Sequence, residues 1–539
     1  MDKTEGVVMR RTVKSAQALI LAIVLALGIA VPAIAGDAYV TQQAGDGFSV
    51  ASVEEAGAGG KNPQRAAYAN VISSGQFQSW LCTDGVNDTS CKPDASNVDY
   101  QARQLLEPCN SASAENCIES LAIVSADGTS RQAKLLETLP ANPPLPAIPS
   151  QGLFESKGIS LYEDESTSPS TLYAVSFWNN LHYNQSVNKW ITTNIDVSVF
   201  PYRVQAGSYG LNFIKDSTGA DNKPHLDDRS NPSCDWNDEN RCGIRQDFAP
   251  GTRVKVSARV SKSITGWFRG RITKPSISLT SFSDSNNLIT VEGEEVSVPR
   301  MRAVLSPSNS TPEQQQAIIN HGGNGGNTVF HNEVKYPFSN WGEFSWIDMF
   351  RALANDTAAG VSSVWSFSTI DGASNNQCMA DNTRVLGIVS TNATLFNGTT
   401  PNFTDGMLTY QVAGMHYMPD GKTLSEGTYD LVMRSDVARC LYGFSKAPIS
   451  ATISVIGNNG ETKAAVTTVG ETQDGWIKLA AYGFTFSSPT INVKLTQEAP
   501  APATGSPSTV KSTITCVKGK TTKKVSGTSP KCPAGFKKK

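Results

Sequence analysis

Histidine, a common metal ligand and catalytic base, is scarce in this 539-residue chain, which has only five copies. No two of them stand in an H-x-x-x-H or H-E-x-x-H pattern, so the sequence does not support a zinc hydrolase. A G-x-S-x-G element is also absent, and with it the usual signature of a serine esterase. We therefore predict no cofactor, and we find no motif that specifies a reaction.

Charged residues are also few, at 17% of the chain, whereas glycine, serine, threonine and asparagine are abundant. This composition disfavours a helical bundle, which needs alanine, leucine, glutamate and lysine, and it is typical of extracellular β-proteins with many turns. We predict a mainly β protein with two antiparallel β-sandwich domains, a few short helices and a small disulfide-closed C-terminal hairpin.

Long apolar runs are missing except near the amino terminus. Basic residues at Arg10, Arg11 and Lys14 precede a nearly continuous apolar stretch at 16–30, and an Ala-Ile-Ala site ends at residue 35. These features predict a signal peptide at 1–35 that is cleaved before Gly36. The alternative is an uncleaved anchor, because 16–35 approaches the ~20 residues that span a bilayer. After cleavage we expect no transmembrane helix.

Ten cysteines lie outside the predicted signal, and most of them are close neighbours in sequence. Neighbour pairing predicts five disulfides, namely Cys82–Cys91, Cys109–Cys117, Cys234–Cys242, Cys378–Cys440 and Cys516–Cys532. Zinc is the alternative for paired cysteines, but it favours C-x₂₋₄-C spacings, which these pairs do not have. Disulfides indicate an oxidising compartment, so the predicted location is extracellular or on the cell surface.

Alternating apolar residues predict strands in the body of the chain. Four runs show period-2 alternation, beginning at Ile191, Val254, Ile449 and Ile491, and in each the alternating residues are expected to face a core. Helices are predicted near 312–321, after a Thr-Pro-Glu-Gln capping pattern, and near 343–354, where apolar residues make one face.

Changes in composition divide the chain into segments. The predicted order is a signal peptide at 1–35, an N-terminal disulfide-containing region at 36–139, a proline-rich linker at 140–150, β-sandwich domains at 151–305 and 306–497, a second linker at 498–510, and a basic two-cysteine tail at 511–539.

Two acidic groups are candidate sites. Glu292 and Glu294 would project from one face of a strand, and paired carboxylates can serve as acid and nucleophile in a glycosidase. The alternative is a charged, solvated turn.

Asp235, Asp238 and Glu239 lie in the loop between Cys234 and Cys242, where carboxylates could bind calcium or could simply be solvated. Six tryptophans could likewise form a sugar-binding platform or anchor a core.

The carboxyl-terminal segment has a charge opposite to the body. Residues 36–510 contain 33 basic and 46 acidic residues, whereas 511–539 contains nine lysines and no acidic residue. The candidate envelope-binding residues are Lys518, Lys520, Lys523, Lys524, Lys531, Lys537, Lys538 and Lys539. A compact basic module on a flexible tether suits binding to anionic polymers. The alternative is a solubilising, disordered tail.

Four segments resemble a group of large secreted proteins of actinobacteria that has no known activity. They are GWFRGRITKPSISLTS at 266–281, GTYDLVMRSDVARCLYGFSKA at 427–447, GWIKLAAYGFTFSSPTINVKLTQ at 475–497 and the tail ITCVKGKTTKKVSGTSPKCPAGFKKK at 514–539. The resemblance implies an extracellular or cell-envelope setting, and it carries no catalytic residue.

These patterns lead to one preferred function and two alternatives. We expect a non-enzymatic structural or adhesion-type surface protein whose tail binds anionic cell-envelope polymers or extracellular glycans, with no nucleic-acid partner. The first alternative is a secreted carbohydrate-binding protein or glycoside hydrolase that uses Glu292 and Glu294. The second is a subunit of a surface array.

Overall fold

The computed structural model describes residues 100–208, 240–305, 354–497 and 511–539, apart from short internal gaps. It also describes brief segments at 49–53, 69–73, 76–80, 213–216, 225–228, 236–237, 311–313 and 338–339 and positions 344, 347 and 351. The predicted signal peptide, the second linker and most of the first linker lie outside the described residues.

The described part of the chain is mainly β. Its strands, in chain order, are β1 Ser49–Val53, β2 Ala69–Ser73, β3 Gln76–Trp80, β4 Gln101–Leu105, β5 Cys117–Val124, β6 Ser130–Gln132, β7 Lys134–Thr138, β8 Ser160–Asp164, β9 Thr171–Asn184, β10 Lys189–Ala206, β11 Phe213–Asp216, β12 His225–Asp228, β13 Trp236–Asn237, β14 Arg241–Arg245, β15 Arg253–Ser261, β16 Gly266–Arg271, β17 Thr273–Ser281, β18 Asn286–Glu294, β19 Val296–Leu305, β20 Phe338–Ser339, β21 Gly360–Thr369, β22 Val385–Thr391, β23 Leu395–Asn397, β24 Asn402–Thr404, β25 Met407–Ala413, β26 Glu426–Arg434, β27 Ile449–Ile456, β28 Thr462–Ala464, β29 Val466–Glu471, β30 Trp476–Thr485, β31 Thr490–Gln497, β32 Ser512–Lys518, β33 Thr521–Gly527 and β34 Lys537–Lys538. Helix α1 covers Ser435–Tyr442, and 3₁₀ turns cover Pro149–Gln151 and Gln377–Met379.

One large sheet runs through most of the body. Its central strands pair in the spatial order β9, β10, β21, β16, β22, β26, β30 and β29, and all these pairs are antiparallel except β16 with β22. A five-stranded sheet has the order β17-β18-β15-β5-β6, and a further sheet contains β20, β23, β25, β31, β27 and β28, with β24 beside β25.

The large sheet crosses the boundary that the sequence predicts at 305. Strand β21 follows that boundary in the chain, yet it pairs with β10, β16 and β19, all of which precede it. The two predicted domains are therefore joined by hydrogen-bonded strands. Strand alternation defines the faces of one strand but not its partner, so the sequence pattern could not reveal these pairs.

Two hydrophobic cores lie on opposite faces of this sheet. Phe268, Ile388 and Val432 belong to a core shared with the five-stranded sheet. Their neighbours along the chain, including Val389 and Leu431, belong to a second core shared with β25, β27 and β31. Because both faces are covered, every residue of β22 is buried, and its sequence shows no polar alternation.

The predicted alternation is confirmed in three strands and is partly wrong in the fourth. Val254, Val256, Ala258 and Val260 are all buried, as are the described core positions of β27 and β31. In β10, however, Ile191 and Thr193 are exposed while their neighbours are buried. The register of β10 against β9 shifts between Thr192 and Asn194, and such a bulge moves the following side chains to the other face.

The predicted helices are described only in part. Pro312 and Glu313 are helical, and so are Phe344, Ile347 and Arg351, while most other residues of the two predicted helices lie outside the described set. Helix α1 has no counterpart in the predictions. It ends at Gly443, whose φ of 65° provides the left-handed cap that glycine adopts easily.

Three of the predicted disulfides are confirmed. They join Cys109 to Cys117, Cys378 to Cys440 and Cys516 to Cys532. Cys242 is also disulfide-bonded, but its predicted partner Cys234 lies outside the described residues. The predicted pair Cys82–Cys91 lies there too. The Cys378–Cys440 bond closes the longest of the three loops and ties α1 to the 3₁₀ turn at Gln377–Met379.

Within the described residues, no helix has both the length and the apolar character that crossing a bilayer requires.

The chain changes sheets at a sharp corner between β16 and β17. Arg271 ends β16 in the large sheet, and Thr273 begins β17 in the five-stranded sheet. Lys274 has a φ of 50°, and the register of β17 against β18 shifts between Thr273 and Ser276. Bends and bulges of this kind form the corners at which strands pass from one sheet to the next.

A buried arginine supports this corner. Arg271 is 2% exposed, and its guanidinium donates hydrogen bonds of 2.9 Å and 2.5 Å to the carbonyl oxygens of Thr391 and Ala393. The guanidinium carbon also lies 4.4 Å from the ring centroid of Phe396, in the second core. Arg271 thus connects β16 to the turn after β22.

Replacing Arg271 with methionine should lower the free energy of unfolding by about 3 kcal/mol, because buried carbonyl oxygens would lose their donors. Unfolding in guanidinium chloride, monitored by tryptophan fluorescence, measures this loss. The matched control is Arg203→Met at an exposed site in β10, where we expect less than about 0.5 kcal/mol. Equal losses in the two variants would contradict the assigned role.

Candidate functional site

Residues 511–539 form a small sheet of their own. Strand β32 is central, with β33 on one side and β34 on the other. Lys518 pairs with Thr521 across a two-residue turn. Gly519 takes the first turn position with a φ of 60°, as the favoured hairpin turns require. The predicted hairpin is therefore present, and β34 adds a third strand that the sequence analysis did not predict.

The disulfide fixes the segment after β33 against one face of this sheet. Cys516 lies at the centre of β32, is fully buried, and is bonded to Cys532. Cys516 also pairs with Lys523 on β33 and Lys538 on β34. Directly paired residues share a face, so these two lysines lie on the disulfide face. Lys518, two residues from Cys516, belongs to the same face.

The opposite face is not covered by this segment. Thr515 pairs with Lys524, Val517 pairs with Lys537, and the backbone N–H of Lys539 donates to the carbonyl of Thr515. The side chains of Thr515 and Val517 stay partly exposed although they occupy the central strand. We call this the open face, and the face of Cys516 the covered face.

Every lysine of the module is exposed to solvent. The module has no acidic side chain to neutralise them and no arginine. Lysine provides a compact point charge, so the module can attract anionic groups without a fixed geometry of recognition. Most of the predicted lysines thus lie on or directly beside the strands of a defined sheet, in contrast to the alternative of a disordered tail.

Glu292 and Glu294 lie in strand β18 and share one face, as their alternation predicts. Arg253 joins them: its Nε is 2.5 Å from Glu292, and its Nη1 is 3.7 Å from Glu294. Lys274 Nζ lies 3.0 Å from both oxygens of Glu294. Both carboxylates are therefore held in ion pairs between strands, and neither belongs to a hairpin tip.

Glu295 is set apart from this pair. Its carboxylate accepts hydrogen bonds from the backbone of Gly251 and the hydroxyl of Ser363. Burial raises the pKa of this carboxyl group above its usual value.

A third carboxyl group lies beside Glu294 and was not predicted. Asp430 on β26 is 4% exposed and accepts a 2.6 Å hydrogen bond from the hydroxyl of Tyr482. Burial raises the pKa of Asp430 to about 7, against the lowering effects of Tyr482 and Lys274. Its only sequence signal is an aspartate inside the apolar strand sequence YDLVM.

His416 also contacts a carboxylate. Its Nδ1 lies 3.4 Å from Asp356, and its backbone N–H donates a 2.9 Å hydrogen bond to the same side chain. Arg351 lies 3.2 Å from that carboxylate. Asn355 and Asp356 both have positive φ values, so the group fixes a tight turn.

The remaining candidates have mixed outcomes. Trp267, Trp365 and Trp476 are buried, which places them in the cores and not on a sugar-binding surface. The side chains of the other three tryptophans lie outside the described residues. Asp235, Asp238 and Glu239 lie there as well. Across the described ranges, no three histidine, cysteine or acidic side chains gather to hold a metal.

Comparison with known proteins gives no family to extend these observations. No protein-family model matches the chain, and no curated protein matches it significantly.

The raised pKa of Asp430 predicts that stability depends on pH. Between its usual value of 3.8 and about 7 the folded protein binds this proton more tightly than the unfolded chain does. Stability should therefore fall as the pH rises through this range, by up to about 4 kcal/mol, and then level off. Denaturation at several pH values should show this fall in the native protein.

The control is Asp430→Asn, which keeps the shape of the side chain but cannot ionise. The difference in unfolding free energy between the two proteins isolates the contribution of Asp430 from all other titrating groups. A difference that stays constant between pH 4 and pH 7 would show that burial does not hold the proton on Asp430.

Proposed function

We propose that this chain is an exported, non-enzymatic protein of the cell envelope, attached to anionic envelope polymers through the basic module at 511–539. The observation that carries the proposal is the separation of charge along the chain. The module carries nine exposed lysines and no acidic side chain, whereas residues 36–510 have a net charge of −13. Opposite charges placed apart in this way allow the module to bind a polyanion while the acidic body is repelled from it.

The β body supports this proposal as a scaffold. It has two cores on one shared sheet and is braced by disulfides. Disulfides persist in oxidising compartments, which agrees with the predicted signal peptide and with the proposed extracellular location. The resemblance of the tail to termini of secreted actinobacterial proteins is consistent with a reused attachment module.

The alternative of a glycoside hydrolase depends on Glu292 and Glu294. Glu292 forms an ion pair with Arg253, and Glu294 forms one with Lys274. This arrangement suits a structural link between β15, β17 and β18. If reducing sugar were released from a polysaccharide, and Glu292→Gln abolished that release, the hydrolase would replace the present proposal. The surface-array alternative stays a prediction, for which self-assembly in calcium is the test.

Deleting 511–539 should move the protein from the cell-bound fraction to the culture medium. The matched control keeps the module but replaces its nine lysines with glutamine, and it should be released in the same way because the attraction is electrostatic. Salt at about 1 M should release the native protein, since the Debye length shrinks to about 3 Å. Immunoblots of cell and medium fractions measure the distribution.

The proposal fails if the truncated protein remains on the cells and high salt does not release the native protein. In that case another part of the chain, such as an uncleaved amino-terminal anchor, would hold it.

A further inference from the structure

The strand register places six of the nine lysines of the module on its two faces, three on each, while Lys511, Lys520 and Lys531 lie outside the paired positions. Lys518, Lys523 and Lys538 lie on the covered face, and Lys524, Lys537 and Lys539 lie on the open face. The covered face carries the disulfide and the segment that follows β33. The long side chain of Lys518 is directed over that segment, because its Nζ would be 3.1 Å from a Cβ placed on Gly535.

The open face differs from the covered one in its polar character. Thr513, Thr515 and Val517 lie on the central strand of this face, and Thr522 and Ser526 flank Lys524 on β33, so four of these five side chains carry a hydroxyl group. Thr513 and Ser526 are hydrogen-bonded to each other across the strands at 2.6 Å. Hydroxyl groups both donate and accept hydrogen bonds, so this floor can contact hydroxyl groups or anionic oxygens of a ligand.

The spacing of charges on the open face suits an extended chain. Lys537 and Lys539 are two residues apart along one strand, which separates their Cα atoms by roughly 6.8 Å. Lys524 lies two strands away from Lys539, at roughly 9.6 Å. The three charges therefore border the central strand β32 on both sides, with Thr515 and Val517 between them.

We propose that the open face is the binding site for a linear polymer of phosphodiester-linked polyol units, which lies along β32 between Lys524 and the pair Lys537 and Lys539. This inference rests on the proposed function and names the face and the polymer.

Three observations support a phosphodiester polyol as the polymer. The module has no arginine, whose planar fork pairs with carboxylate and phosphate alike, so its cations are all lysines, which bind phosphate as point charges. The floor provides hydroxyl partners for a polyol. Phe536 is the single aromatic residue in 511–539, so the face lacks the stacking platform that single-stranded nucleic acids use.

The test compares two triple variants of the full mature chain. Lys524→Gln/Lys537→Gln/Lys539→Gln removes the charges of the open face, and Lys518→Gln/Lys523→Gln/Lys538→Gln removes those of the covered face. Each variant loses the same net charge from the same sheet. The matched pair therefore separates the effect of position from the effect of charge.

The probe is immobilised poly(glycerol phosphate) at about 0.15 M salt, with binding followed by interferometry. The open-face variant should bind roughly 100-fold more weakly, as expected for three lost lysine contacts. The covered-face variant should bind within about threefold of the native chain. Mapping of the Cys516–Cys532 disulfide in both variants checks that the module is folded.

Equal losses in the two variants would overturn the inference, because binding would then follow net charge alone. Polygalacturonate bound as tightly as poly(glycerol phosphate) would overturn the assignment to phosphate, and tighter binding to DNA would overturn the choice of polymer. Any of these results leaves the proposed attachment intact, since the deletion experiment on whole cells tests that separately.

Discussion

Hydrogen bonding between β10, β21, β16 and β22 places apolar side chains on both faces of one sheet, and the two cores of the body depend on that pairing. Adjacent residues such as Ile388 and Val389 enter different cores. A strand buried on both faces cannot be moved without disturbing both cores at once. Arg271 and the corner at Lys274 then connect this sheet to the layers on either side.

Local patterns in the sequence predicted local structure well. Alternation located β15, β27 and β31, and the spacing of cysteines gave three disulfides that the structure contains. The failures concern long-range geometry. The bulge near Thr193, the pairing of β21 with β10 and the third strand of the basic module all depend on partners distant in sequence.

In the candidate site, too, local sequence patterns predicted some features, whereas others depend on strand pairing. Counting lysines found the basic module, but only the strand register reveals that Lys524, Lys537 and Lys539 share a face opposite the disulfide. Asp430 was missed because its partners, Tyr482 and Lys274, come from other strands. Arg253 joins Glu292 and Glu294 between strands of the body, whereas the lysines of the module stay exposed. This contrast is the basis for proposing the module as the attachment site.

The most direct test of this account is equilibrium unfolding of the mature protein, followed by tryptophan fluorescence and by far-ultraviolet circular dichroism. Trp178 and Trp365 report on one core, and Trp267 reports on the other. If both cores share one sheet, the two probes should give a single coincident transition for the body. Two separate transitions, one for each half of the chain around residue 305, would contradict it.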